Sequence, residues 1–317
     1  MTDAAKPAIL IAQPMLAPLL PVLEQAYEVH RLWEHEADLS GFLAGPGRRV
    51  RAIVAAGEGK LGPDLLGALP SLGLIACVSA GYDGIDVAWC RAHGLAVTHS
   101  PNVNSEDVAD HAIGAAIAAW RGIADGDRRV REGRWTAESR GPLWQSLKGR
   151  RAGIVGLGAI GKAVAHRLPA FGIEVAWWGP RAKPDEELPR AESLLALAKA
   201  SDLLFVTLRA DASNVGLIDR AVIEAVGPRG LICNVSRGSA IDQPELVAAL
   251  GDGRLGYAAL DVFSPEPTDV AVWAGLRNVV LTPHTAGSTF ESIPAMVGLT
   301  LENLRRYFAG EPLATPV

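Results

Sequence analysis

Gly156-Leu157-Gly158-Ala159-Ile160-Gly161 stands between an apolar run, Ala152–Val155, and a helical pattern that continues to Phe171. In that setting, glycines at this spacing bind phosphate. Gly156 permits a tight turn, Gly158 lets the backbone approach a pyrophosphate, and Gly161 lets the helix pack closely on the strand. The N–H groups at the start of the helix have no partners within it and can receive the anion. The chemistry implied is that of a bound dinucleotide. A glycine-rich turn with no ligand is the plainer alternative.

The next apolar run ends in Trp177-Trp178-Gly179-Pro180-Arg181. An NAD enzyme places Asp or Glu here, roughly 20 residues beyond the glycines, to bind the ribose 2′-hydroxyl. Gly179 takes that acidic position, and Arg181 and Lys183 follow it. Without the carboxylate, a 2′-phosphate meets no repulsion, and a guanidinium can fork onto it. The expected cofactor is NADP in preference to NAD. Arg181 and Lys183 as plain exposed loop charges is the alternative.

Such a site needs parallel strands with helices between them. The runs Ala152–Val155, Glu174–Trp178, Asp202–Thr207, Gly230–Val235, Gly256–Val262 and Val279–Thr282 read as buried strands. Helical patterns at Ile160–Phe171, Leu194–Ala200 and Pro244–Leu250 separate them. Six strands so arranged make a doubly wound sheet. A second alternation precedes it, with strands at Ala8–Ala12, Val50–Ala55, Gly73–Val78 and Leu95–Thr98 and helices near Leu16–Ala26, Pro63–Ala68 and Val87–His93. Apolar runs separated by helices indicate a parallel sheet covered on both faces. Ser105–Arg121 and the segment from Thr289 to Phe308 read as long helices crossing between domains. The fold class is therefore α/β, with two doubly wound parallel-sheet domains. A Rossmann domain over 101–285 is inserted in a flavodoxin-like domain made of 1–100 and 286–317. Asp125–Lys148 is polar and reads as an extension of the crossing helix plus an arm.

The 317 residues are 49% hydrophobic and 21% charged, as in an ordinary globular protein of two domains. A net charge of −5 and the absence of a dense basic run argue against nucleic acid, and Arg48, Arg49 and Arg51 read as a solvated loop. Three widely spaced cysteines, Cys77, Cys90 and Cys233, give neither a disulfide framework nor a metal site and imply a reducing compartment. Cys77 and Cys233 lie in apolar runs and read as core. Pro14, Pro18 and Pro21 interrupt the apolar stretch Ala8–Leu23, which favours a strand and helix over a secretory signal. No run approaches the length of about 20 apolar residues that spans a bilayer, so a cytoplasmic protein is expected.

Six segments in order resemble the D-isomer-specific 2-hydroxyacid dehydrogenases, above all the glyoxylate/hydroxypyruvate reductase branch. They are Val78-Ser-Ala-Gly-Tyr-Asp-Gly-Ile-Asp86, Glu106-Asp-Val-Ala-Asp-His-Ala-Ile-Gly114, the glycine turn, Asn234-Val-Ser-Arg-Gly238, Leu260-Asp-Val-Phe-Ser-Pro-Glu-Pro267 and Thr282-Pro-His-Thr-Ala-Gly287. The resemblance covers nearly the whole chain. It implies reduction of a small 2-keto acid, with Arg237, Glu266 and His284 as the catalytic set. Each follows a predicted strand, and the carboxyl ends of such strands are where an open α/β sheet binds ligands. Arg237 would hold the keto-acid carboxylate with its planar fork. His284 would donate a proton to the carbonyl oxygen, and Glu266 would orient the imidazolium. Singly, such a His or Glu more often has a structural role; together with Arg237 and the glycine turn they do not.

The resemblance further implies that the loop Ser79-Ala80-Gly81 receives the substrate carboxylate and that Asp261 touches the nicotinamide carboxamide. Thr207, Leu208, Val235, Ser236 and Gly287 fall in segments that line the cofactor in that family. Gly57-Glu58-Gly59 should form another wall, while Asp83 and Asp86 read as helix caps. Arg209 stands where the family often has proline and is a second candidate contact to the cofactor phosphates. The family's NADP-type arginine aligns closer to Pro180 than to Arg181. His111 reads as a packing or hydrogen-bonding residue, and His30, His35, His93, His99 and His166 as surface or helix positions. A homodimer is implied, with the arm and its Trp135 and Trp144 embracing the partner, and Trp144 as a candidate to reach the neighbour's pocket. The same scaffold resembles NAD-linked lactate, phosphoglycerate, phosphite and formate enzymes, and the chain's end at Val317 disfavours a regulated phosphoglycerate type. It also serves as a dinucleotide-sensing corepressor, which the acidic charge balance supports little.

Overall fold

The computed structural model describes residues 6–139 and 141–317. Two compact units emerge: the chain up to Val103 with Thr289–Val317, and Asn104–Ser288. Both are α/β with fully parallel sheets.

In the first unit the strands are β1 (Ala8–Ile11), β2 (Glu28–Arg31), β3 (Val50–Ala55), β4 (Leu74–Cys77) and β5 (Ala96–Thr98), in the order β2-β1-β3-β4-β5. That is the flavodoxin-like order. β1 and β4 are buried along their whole length, as parallel strands covered on both faces must be. β2 was not anticipated. Its sequence, Glu-Val-His-Arg, has no apolar run, because it pairs only with β1 at the sheet edge and is nowhere fully buried. Pro14 and Pro21 sit in the first turns of a 3-10 helix, Pro14–Leu19, and of helix Leu20–Ala26, where their missing N–H groups break no hydrogen bond. The C-terminal helix, Ser292–Ala309, buries Met296 and Leu304 against Leu74 and Ala76 of β4 and their neighbours.

The second unit contains β6 (Arg151–Val155), β7 (Glu174–Trp178), β8 (Leu203–Val206), β9 (Leu231–Asn234), β10 (Tyr257–Leu260) and β11 (Val279–Leu281), in the order β11-β10-β9-β8-β6-β7. Beyond β7, Arg190 forms a single parallel bridge with Trp177. With that bridge counted as the third strand, the order reads 3-2-1-4-5-6 plus one further strand. This is the doubly wound dinucleotide-binding arrangement, whose crevice opens where the chain changes direction across β6. Helix Ser105–Trp120 covers one face, burying Val108, Ala112, Ala116 and Trp120 with Ala152, Ile154 and Phe205. Helix Arg220–Val226, absent from the sequence reading, packs Val222 and Ile223 on the opposite face.

The arm does not extend the crossing helix. That helix ends at Trp120, Gly122 adopts a left-handed φ of 59°, and a separate helix runs Ile123–Arg131. The break makes room for Trp144, whose indole would lie 2.0 Å from a Cβ at position 122. His30 and His35 are not plain surface residues either. His35 stacks on Phe42 at 4.1 Å between ring centroids, and His30 meets the same ring edge-on at 5.4 Å. All three cysteines are free and buried, and burial pushes the Cys77 thiol up to about 12. Among the described residues no helix is long and apolar enough to cross a membrane.

Candidate active site

The glycine turn begins where β6 ends. Gly156 has φ of 91°, and its N–H donates to Trp178 O at 2.8 Å, which ties the turn to β7. A Cβ at Gly156 would fall 2.5 Å from Leu208 Cα, so no larger residue fits even apart from the dihedral. At Gly161 a Cβ would lie 2.3 Å from Gly156 O, which shows how closely helix Ala159–Arg167 passes the turn. The Thr207 hydroxyl donates to Gly156 O at 2.8 Å, and buried Leu157 anchors the loop in the core. Gly158 and Ala159 are exposed, and a Cβ at Gly158 would meet nothing within 4 Å. Open space over a helix N-terminus, backed by a fixed turn, fits a dinucleotide pyrophosphate.

At the end of β7, Gly179 is buried while Arg181 and Lys183 are exposed. Arg190, which the sequence reading passed over, donates from Nη2 to Gly179 O at 2.8 Å, and its guanidinium lies 5.5 Å from the Trp177 ring centroid.

Three loops at the ends of β9, β10 and β11 bring the expected catalytic side chains into one group. Asn234, the last residue of β9, braces the first loop. Its Oδ1 accepts from Ser236 N and Oγ at 3.0 and 2.9 Å, and its Nδ2 donates to Arg237 O at 2.9 Å. Val235 and Ser236, which precede Arg237, are buried. A Cβ on Gly238 would overlap the Phe263 backbone at 1.9 Å, so the loops after β9 and β10 are in close approach. In the second loop, Glu266 Oε1 accepts from Phe263 N at 2.8 Å. Glu266 Oε2 lies 2.8 Å from His284 Nδ1. An ionised carboxylate only accepts, so Nδ1 carries the proton and Nε2 is the other, outward-acting nitrogen. Burial pushes the Glu266 carboxyl up, but hydrogen bonds from His284 and the Phe263 amide, with the charges of His284 and Arg237, outweigh it. Its pKa lies below the ordinary glutamate value.

His284 itself has φ of 54°, an uncommon conformation for a residue with a Cβ. Asp261 enforces it. His284 N–H donates to Asp261 O at 2.8 Å, while the 3% exposed Asp261 carboxylate accepts from Thr282 Oγ1 at 2.6 Å and from Thr285 and Ala286 N–H at 2.9 Å. Because the Thr282 hydroxyl donates to Asp261, it accepts from His111 Nε2–H at 2.9 Å. Gly287 closes the segment, with Asn104 Nδ2 at 2.2 Å from where its Cβ would be.

Residues 113–286 match the D-isomer specific 2-hydroxyacid dehydrogenase NAD-binding domain. A hydroxyphenylpyruvate reductase of Plectranthus scutellarioides is 38% identical over 98% of both chains. Among solved structures, a 2-hydroxyacid dehydrogenase from Ketogulonicigenium vulgare Y25 shares 43% identity with a TM-score of 0.91, covering 99% of this chain and 98% of its own. An NADPH-dependent glyoxylate/hydroxypyruvate reductase from Sinorhizobium meliloti, in complex with NADP and malonate, shares 36% identity with a TM-score of 0.89, covering 99% and 97%. The chain belongs to the D-isomer-specific 2-hydroxyacid dehydrogenase family. It is an oxidoreductase with a nicotinamide dinucleotide as cofactor.

In the other unit of this dehydrogenase, the loop Ser79-Ala80-Gly81 is built independently. Ser79 Oγ accepts from Gly57 N and donates to Gly81 O, both at 2.8 Å, and a Cβ at Gly57 would overlap Gly81 O. His99 Nδ1 lies 2.9 Å from Ala80 O. Asp86 accepts from Trp89 N and caps helix Val87–Ala92.

The arm over 125–148 includes Arg140, which lies outside the described residues. Trp144 packs within its own chain, over Gly122 and 6.1 Å from the Tyr257 ring. Trp135 is 65% exposed and Leu143 99%. His111 is the hydrogen-bonding residue the sequence suggested, with Thr282 as its partner, whereas Asn234 as a brace and Arg190 beside β7 were missed. His111 and Thr282 lie 171 positions apart, so no local pattern could have paired them.

Proposed function

We propose that the enzyme is an NADP-preferring reductase of a small 2-keto acid of the glyoxylate or hydroxypyruvate type. The observation that carries this reading is the 2.8 Å His284–Glu266 pair beside Arg237 at the strand ends of a dinucleotide-fold unit. Arg237 holds the substrate carboxylate through two N–H groups. His284 Nε2–H donates to the ketone oxygen and takes that proton back in the reverse reaction. Glu266 keeps the imidazole oriented and favours its protonated form. The reduced nicotinamide, when bound, supplies the hydride that the carbonyl carbon accepts. Gly156, Leu157, Gly158, Ala159, Ile160 and Gly161 cradle the pyrophosphate, while Thr207, Leu208, Val235, Ser236, Asp261 and Gly287 line the rest of the dinucleotide, with Arg209 beside its phosphates. In the first unit, the small residues of the Ser79-Ala80-Gly81 loop offer backbone N–H groups suited to a carboxylate.

Gly179 in the acidic position, with Arg181 and Lys183 after it, supports NADP, as does likeness to an NADPH-dependent enzyme. The enzyme acts as a homodimer through the second unit. Val270, Trp135 and Leu143 are exposed there at 82%, 65% and 99%, and Ala124, Arg128, Val270, Trp273 and Leu281 line one groove. Sedimentation at micromolar concentration tests this; a monomer of full activity refutes it.

The deciding assay is a panel of 2-keto acids, including glyoxylate, hydroxypyruvate and hydroxyphenylpyruvate, each with NADPH and NADH. Highest kcat/KM for a small keto acid with NADPH is expected. Higher kcat/KM with NADH, or with the aromatic acid, overturns the corresponding half of the proposal.

A further inference from the structure

The edge of the sheet beside β7 carries a device that neither the glycine turn nor the catalytic group uses. Trp177 N–H donates to Pro189 O at 2.9 Å, and Ala191 N–H donates to Trp177 O at 2.8 Å. This one-residue bridge lays Arg190 along β7, and its Nη2 reaches forward to Gly179 O at 2.8 Å. Its guanidinium stands over the Trp177 indole, 5.5 Å from the ring centroid. Gly179 rests on the same indole, since a Cβ there would lie 3.4 Å from the ring. Arg190, Trp177 and Gly179 thus form one patch at the carboxyl end of the second strand, where a dinucleotide fold reads the adenosine ribose.

Among the described residues no carboxylate pairs with Arg190. The partly shielded acid of this loop, Glu186, is engaged instead by Lys162 Nζ at 2.9 Å. One guanidinium N–H is used on Gly179 O, and the others remain as donors. Arg181, Lys183 and Arg190 are all exposed, but among the described residues no hydrogen bond holds the side chain of Arg181 or Lys183, as Gly179 O holds that of Arg190. An arginine already anchored by a carbonyl and a ring loses less side-chain freedom on binding a phosphate than one on an open turn.

We propose that Arg190 is the specificity-determining residue for the cofactor, forking onto the ribose 2′-phosphate of NADP(H). Arg181 and Lys183 add charge around it. This rests on the NADP reading proposed above, and the experiment separates the two. Calorimetric titration with 2′,5′-ADP and with 5′-AMP compares the intact enzyme with Arg190→Ala, Arg190→Lys and Arg181→Ala.

The intact enzyme should bind 2′,5′-ADP at least about tenfold more tightly than 5′-AMP, as a charge-assisted bidentate contact would give. Arg190→Ala should lose most of that ratio while 5′-AMP affinity stays within about twofold. Arg190→Lys should keep part of it, because charge without the fork is a poorer match, and Arg181→Ala should keep most. Should the intact enzyme show no preference, the NADP reading falls. A preference that survives Arg190→Ala, or a loss of both ligands together in that variant, overturns the role of Arg190 alone.

Discussion

The two carboxyl-edge corners of the dinucleotide-fold unit are built from different parts of the chain. At the turn after β6 the surface is backbone, and what matters is the absence of side chains: Gly156 and Gly161 each lie where a Cβ would overlap a neighbour at 2.5 or 2.3 Å. Around β9, β10 and β11 the surface is side chains, and what matters is where protons sit: His284 Nδ1 on Glu266, the Thr282 hydroxyl on Asp261. A backbone site is tuned by sterics and tolerates no addition. A side-chain site is tuned by charge and tolerates no subtraction.

That contrast can be broken most sharply at His284. His284→Asn removes the proposed acid and should lower kcat by about a thousandfold, within the range general acid catalysis supplies, while the KM for NADPH stays close to its original value. A kcat within tenfold of the original, roughly 1.4 kcal/mol, would detach His284 from proton transfer.

Arg237→Lys should lower kcat/KM for the keto acid by about a hundredfold, roughly 3 kcal/mol, because a point charge replaces a fork. Near-normal steady-state kinetics would take Arg237 out of the site.

At the other corner, Gly161→Ala adds one methyl where none fits. Overpacking of this kind costs about 1–3 kcal/mol, so the melting temperature should drop by several degrees and cofactor affinity should weaken with it. Thermal denaturation and fluorescence titration with NADPH measure both. Unchanged values in the two would mean that the helix can retreat from the turn.

The smallest effect, and the one that sharpens the proton assignment, is in Glu266→Gln. Keto-acid reduction should decline as pH rises through the imidazolium pKa, and the variant should decline at lower pH because a carboxylate partner is lost. Superimposable profiles would contradict the pairing. The stability side has the opposite sense. The folded pKa of Glu266 is depressed, so its contribution is complete above the unfolded-state value and is lost as pH falls through the folded one. The stability gap between parent and variant should therefore close on acidification; a gap that widens toward acid would reverse the assigned direction.

The glycine turn was legible because its partners are local: strand, turn and helix occupy one stretch from Arg151 to Arg167. Buried strands of both sheets were legible for a related reason. A parallel strand covered on both faces must be apolar along its length, as Leu203–Val206 and Leu74–Cys77 are. Edge β2 escaped notice because its residues, Glu-Val-His-Arg, form no apolar run, whereas the equally unburied edge strand Val279–Leu281 is apolar throughout. The break at Gly122 was hidden as well, since the reason for it is the indole of Trp144, which returns from beyond the next helix.

By itself the sequence determined the fold class and the glycine turn, which are written in residue type at short spacing, and its resemblance to the family marked Arg237, Glu266 and His284 as the candidate catalytic set. The tertiary structure decided which proton lies where and which cation is anchored. Asp261 holds His284 in a left-handed conformation through contacts to residues at 282, 284, 285 and 286, and His111 supports Thr282 from helix Ser105–Trp120. Arg190 gains its place from a single bridge to Trp177. These contacts join segments that share no periodicity, and only packing brings their donors and acceptors within 3 Å of each other, where direction as well as charge decides the interaction.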